Sequence, residues 1–144
     1  MKKTILTFVF LLALASISFG QDTDPLISNC VTTAGADAKY LKDFRIQLGQ
    51  ATTQGEFRYK ANMSLWKNTK YRFSLCNADN SKGQLILTIK DETNKPILSS
   101  FDKKTGKAYA SVDFECQKSG LYQISFDFTD GQQGSGAGVV SMIK

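Results

Sequence analysis

The stretch SVDFECQKSGLYQISFDF (111–128) decides the fold. Val112, Phe114 and Cys116 alternate with Ser111, Asp113 and Glu115, and then a tight connection, QKSG (117–120), intervenes. After it Tyr122, Ile124, Phe126 and Phe128 alternate with Gln123, Ser125 and Asp127. Successive side chains of a strand point to opposite faces, so a period of two with large apolar residues on one side marks a half-buried β-strand. Two such strands in 18 residues leave no room for a helix.

Working outward, the same period recurs. Phe57, Tyr59, Ala61 and Met63 oppose Glu56, Arg58, Lys60 and Asn62; Tyr71, Phe73 and Leu75 oppose Lys70, Arg72 and Ser74. Leu85, Leu87 and Ile89 alternate with Ile86, Thr88 and Lys90, a strand whose first half is apolar on both faces. A turn at 91–95 leads to Pro96, which suits the start of an edge strand through Phe101. Upstream, Tyr40, Lys42, Phe44, Ile46 and Leu48 form a first strand, although Tyr40, Leu41, Phe44 and Leu48 also fit helical spacing. Downstream, the glycine-rich DGQQGSGAG (130–138) reads as an inter-strand loop before a last strand, 139–143. Eight short strands separated by turn residues, with no helix of ten residues or more, predict an all-β fold. The expected architecture is a single antiparallel β-sandwich or jelly roll over residues 39–144.

Residues 1–20 read as a cleaved signal peptide. Lys2 and Lys3 precede an apolar run over 4–19, and Ser18 and Gly20 supply the small residues of a cleavage site before Gln21. The run is about 16 residues, short of the roughly 20 that a membrane helix needs. A secreted or periplasmic protein with no stable membrane span after cleavage is expected. Residues 21–38, small and polar with Pro25 and Gly35, read as an irregular leader.

Composition narrows the chemistry. Among 144 residues there is no histidine, which removes the commonest general base and zinc ligand. Loss of Lys2 and Lys3 with the signal peptide lowers the formal charge from +5 to +3, and no clustered basic stripe suggests nucleic acid. Three cysteines reach an oxidising compartment, enough for one disulfide and a spare thiol. If each strand crosses the sandwich once, Cys30 and Cys116 fall at one end and Cys76 at the other. Cys30–Cys116 is the expected bridge, with Cys76 within reach of a flexible leader.

The segments YRFSLCNADNSKGQLILTIKDETNKPILSS (71–100), SVDFECQKSGLYQISFDF (111–128) and AGVVSMI (137–143) resemble the bacterial pre-peptidase C-terminal domains. The likeness is carried by QLILTIKD (84–91) and KSGLYQISF (118–126) and spans roughly residues 56–143. The chain is also similar to small secreted bacterial sandwich proteins of unassigned function. The resemblance implies an accessory β-sandwich, often appended to secreted enzymes and serving binding, secretion or stability. Calcium ligands of some relatives do not carry over, because Gln84, preceded by Lys82 and Gly83, stands where acids would be needed.

Several residues are candidates for contact with a ligand. Trp66, the single tryptophan, either stacks on a sugar ring or caps one end of the sandwich with Leu65. Arg58, Lys60, Lys70 and Arg72 project from consecutive strands and either form an anion-binding patch or pair across strands, Lys70 and Arg72 with Glu115 and Asp113. Asn77, Asp79 and Ser81 offer oxygens at alternate positions without a closing bidentate glutamate, as an ordinary turn does. The glycines of 130–138 precede a strand and not a helix N-terminus, so no phosphate cradle is expected. Asp113, Glu115 and Asp127 are the acids closest to a hydrolytic pair, on a face with no expected cleft. The combined expectation is a non-enzymatic secreted binding module, without cofactor or metal, whose partner is an envelope protein or a glycan. A stabilising subunit of another secreted protein is the alternative.

Overall fold

Alternating side chains sort the strands into two sheets that share one apolar filling. A computed structural model describes residues 24–53 and 55–144; the expected signal peptide lies outside them. In chain order the elements are α1 (Pro25–Thr33), β1 (Ala38–Leu48), β2 (Tyr59–Leu65), β3 (Lys70–Asn77), β4 (Leu85–Lys90) and β5 (Pro96–Ser99). Then follow β6 (Phe101–Asp102), β7 (Lys107–Ala108), β8 (Ser111–Glu115), β9 (Gly120–Phe128) and β10 (Gly134–Ile143).

One sheet has the order β1-β10-β3-β8 and the other β2-β9-β4-β5, while β6 and β7 form a small ribbon. All pairings are antiparallel, and they nest: β4 with β5, β3 with β8, β2 with β9, β1 with β10. A long ribbon folded over on itself in this way is a jelly roll, as the sequence predicts. Pro96 begins β5 at a sheet edge, where its missing N–H costs no ladder bond.

The inward rows meet in a core of Phe44, Ile46, Leu65, Phe73, Leu87, Ile89, Ile124, Phe126, Phe128 and Val140, among others. Phe126 stands at its centre, its ring centroid 5.4 Å from Phe44 and 5.8 Å from Tyr59. Each such fully buried side chain contributes up to about 1.5–3 kcal/mol by leaving water.

Two expectations are corrected here. The leader is not irregular throughout, because residues 25–33 form α1, packed across the outer face of β3 and β10. Asp24 caps it by accepting from the Leu26 N–H, Pro25 opens it, and Gly35 follows with φ +101°. The glycine-rich segment is not a loop either, since Gly134–Ile143 is the full length of β10. A Cβ on Gly136 would stand 2.8 Å from the Cys76 carbonyl oxygen, and one on Gly138 2.7 Å from the Phe126 ring. Glycine lets the aromatic rings of the facing sheet lie directly on the backbone of β10.

The expected Cys30–Cys116 bridge is also overturned: Cys30 is bonded to Cys76, with Cα atoms 5.7 Å apart, and Cys116 is a buried free thiol. Cys76 does point outward and Cys116 inward, as the alternation requires. The error lay in placing Cys30 below the sandwich. As part of α1 it lies flat on the outer face, beside Cys76, and the core separates it from Cys116. The disulfide fits an oxidising compartment. No helix among the described residues is long and apolar enough to cross a membrane.

Candidate functional site

The two outer faces of the sandwich differ. α1 covers one, burying Ala137, Val139 and Ser74 beneath Cys30 and Ala34. The other, on the β2-β9-β4-β5 sheet, carries outward rows fixed by register. Ser64 is opposite Leu121; Asn62, Gln123 and Lys90 form the next row; Lys60, Ser125, Thr88 and Ser99 form a third, spanning four strands. Rows recur every two residues, about 6.8 Å along the strand, and neighbouring strands lie about 4.8 Å apart.

Concavities follow these rows. At one end Trp66, 67% exposed, rims a hollow of about 340 Å³ with Ser64, Ser119 and Leu121. Leu121 also borders a second hollow of about 440 Å³ with Asn62, Gln123, Asn94 and Glu92. At the far end a trough of about 490 Å³ has Ser125, Thr88 and Ser99 among its floor residues. Phe57 flanks it from the β2 edge and Phe101 from the β5 edge, with Lys60, Lys90 and Lys103 around them.

Trp66 does not cap the sandwich. Leu65, 1% exposed, does that, and the alternation turns the next side chain out to solvent. The turn that carries the indole is tied down. The Trp66 N–H donates to the Tyr71 hydroxyl at 2.8 Å and the Lys67 N–H to Ser119 Oγ at 2.7 Å. The Asn68 N–H donates to the Cys116 carbonyl at 2.9 Å. An exposed ring on a fixed support is preorganised for stacking.

The four basic residues do not form one patch. Consecutive strands β2 and β3 belong to opposite sheets, so Arg58 and Lys60 lie on one outer face and Lys70 and Arg72 on the other. Arg58 forks onto Asp127, with Nη2 at 2.9 Å from Oδ1, and its Nη1 donates to the Gly49 carbonyl at 2.6 Å. Arg72 grips Asp113 through Nε at 2.7 Å and Nη2 at 3.0 Å, and donates to the Ala34 carbonyl at the end of α1. The Arg72–Asp113 hydrogen bonds, helped by the charges of Arg72 and Lys70, hold the Asp113 carboxyl below its usual range against a smaller opposing effect of burial. Registers Lys70–Glu115 and Arg72–Asp113 are those the sequence predicts. Of the four, Lys60 alone lines a hollow; it is 2.6 Å from Glu56.

The acids are dispersed as well. Asp113 and Glu115 sit on the sheet opposite Asp127, and Asp127 is bound to Arg58. Sequence reasoning missed Asp91 and Glu92, which border a cleft of about 300 Å³ between the sheets with Phe114, Tyr122 and Ile97. Asp91 Oδ1 accepts from the Thr93 hydroxyl at 2.6 Å and from the Thr93 and Lys95 N–H groups. Led by the Thr93 hydroxyl, these bonds lower its pKa and fix it as the clasp of the β4–β5 turn. Glu92 accepts from the Leu121 N–H at 3.3 Å. Hydrogen bonds to its ionised form keep Asp91 charged, which suits a turn clasp and not a proton donor.

In the Asn77–Gly83 segment, Asn77 and Ser81 spend their side-chain oxygens on backbone groups of neighbouring segments. Asn77 Oδ1 accepts from the Leu85 N–H at 2.7 Å, and Ser81 Oγ donates to the Gly83 carbonyl at 2.6 Å. Among the described residues no group of three or more acidic, cysteine or histidine side chains is placed to hold a metal ion. No family model matches the chain, and no curated protein matches it.

Proposed function

We propose that the protein is a secreted, non-enzymatic glycan-binding module of the bacterial envelope or exterior. The outer face of the β2-β9-β4-β5 sheet is its binding surface. The observation that carries this reading is Trp66, two-thirds exposed on a hydrogen-bonded turn and rimming a hollow that shares Leu121 with a second one, bordered by Asn62, Gln123 and Asn94. The apolar face of an indole matches the C–H face of a pyranose, and amide side chains beside it can exchange hydrogen bonds with sugar hydroxyls. Hollows of this size fall in the range of small-ligand sites. The resemblance to pre-peptidase C-terminal domains supports an accessory binding role. The basic start and apolar run of residues 1–20 and the Cys30–Cys76 bridge support secretion.

Affinity electrophoresis through gels containing individual bacterial and plant polysaccharides tests the reading. At least one polymer should retard the protein, and Trp66→Ala should run freely in the same gel. Retardation by none, or equal retardation of both proteins, refutes it. Secretion is checked separately: expressed with residues 1–20, the exported chain should begin at Gln21 by mass spectrometry.

A further inference from the structure

The far end of the same face is built for charge. Lys60 and Lys90 come from β2 and β4, on either side of β9, and their rows are adjacent. Lys103 completes three ammonium groups around the trough, against a single carboxylate, Glu56. Glu56 belongs to no strand; it follows Gly55 in the connection between β1 and β2. Its Oε2 lies 2.6 Å from Lys60 Nζ. The hydrogen bond to Lys60, then the charges of Lys60 and Lys90, hold its pKa below the usual carboxylate range. A carboxylate carried on an irregular segment is thus paired with one strand-borne lysine in a trough that a second, Lys90, also lines.

We propose that this trough takes the carboxylate-bearing sugars of an acidic glycan, a polyuronate, and that Glu56 fills one ligand carboxylate's place in the free protein. The inference rests on the glycan-binding reading. Three features favour a uronate. The position already holds a carboxylate. The floor residues Ser125, Thr88 and Ser99 include hydroxyls matched to sugar hydroxyls, and Phe57 and Phe101 offer apolar surface at opposite edges. Lysines give point charges that accept a carboxylate in many orientations, where a phosphate-tracking surface favours forked arginines. When the ligand carboxylate arrives, it displaces the Glu56 side chain, and the lysines exchange one carboxylate for another.

Calorimetric titration with a galacturonate hexamer and with its carboxyl-reduced, neutral counterpart decides the matter. The uronate should bind about tenfold more tightly, the worth of one charge-assisted hydrogen bond, and the advantage should shrink as salt rises. The Lys60→Ala/Lys90→Ala double variant should lose that advantage and bind the two hexamers alike. Glu56→Gln should bind the uronate several-fold more tightly than the parent and the neutral hexamer equally. Thermal melts matching the parent's establish that each variant is folded. If Glu56→Gln gains nothing, or if a single-stranded oligonucleotide of equal charge competes as well as the uronate, the proposal fails. If the neutral hexamer binds through Trp66 and the uronate no better, the charge proposal fails and the glycan reading stands. If neither sugar binds, both fail.

Discussion

The ring of Phe126 lies so close over Gly138 that a β-carbon there would be 2.7 Å from its Cε1. Gly138→Ala should therefore push the central ring of the core off its packing and cost about 1–3 kcal/mol. Gly49→Ala, with nothing within 4 Å of the added carbon, should stay within about 0.5 kcal/mol of the parent. Urea denaturation of the two variants measures the contrast.

Non-reducing peptide mapping should join Cys30 to Cys76 and leave Cys116 as a thiol that resists alkylation until the protein unfolds. The bridge spans 46 residues, so replacing both cysteines by alanine should lower stability by about 4 kcal/mol on the chain-entropy model.

Leu65 and Trp66 are neighbours with opposite roles. Leu65→Ala empties a closed site and should cost about 2–5 kcal/mol. Trp66→Ala, at a residue 67% exposed, should change stability by less than about 0.5 kcal/mol while abolishing glycan retention. Equal losses of stability would identify the indole as a packing residue.

Tyr122 gives an alkaline signature. Burial, then the hydrogen bond with Cys116, pushes its pKa from 10.0 up to about 12. Its hydroxyl donates to the Lys118 carbonyl at 2.5 Å. The folded protein keeps this proton where the unfolded chain loses it, so stability should be intact below about pH 10 and fall progressively toward pH 12. Tyr122→Phe should flatten that fall in melting temperatures recorded across the range.

Asp113 gives the acid counterpart. Its carboxyl titrates below its ordinary value of 3.8 because Arg72 is bound to it. The stabilisation is present above that value and lost as pH falls through the lower, folded one. Asp113→Asn should remove this part of the acid dependence, read again from melting temperatures.

Much of the sandwich was legible because apolar and polar residues alternate in sequence along β2, β3 and β9, even where α1 and the loops cover the outward side chains. The pairing of Arg72 with Asp113 was legible too, since jelly-roll order brings their strands together. β10 was not: its glycines weaken local strand preference, and it takes the facing rings of Phe126 and Phe128, with the Cys76 carbonyl beside Gly136, to explain them. α1 left signals at Asp24-Pro25 and Gly35, and Leu26, Ile27, Cys30 and Val31 hold helical spacing, but nine residues make a run too short to stand out among small polar neighbours. That omission misplaced Cys30 and hence the bridge. In the candidate site the lone indole stood out in the sequence. The row Lys60–Ser125–Thr88–Ser99 did not, because it is assembled from four strands by register alone.

The fastening of Cys30 to Cys76 has a consequence for how the molecule can be used. With α1 bolted down, the sandwich has a permanently covered back and one open front. Asp24, where the described chain starts, is tied to Arg45 at the back, with its Oδ2 2.8 Å from Nε. A neighbour can lean on that side without shading the indole or the lysines. A polymer can then lie along the front over its whole length.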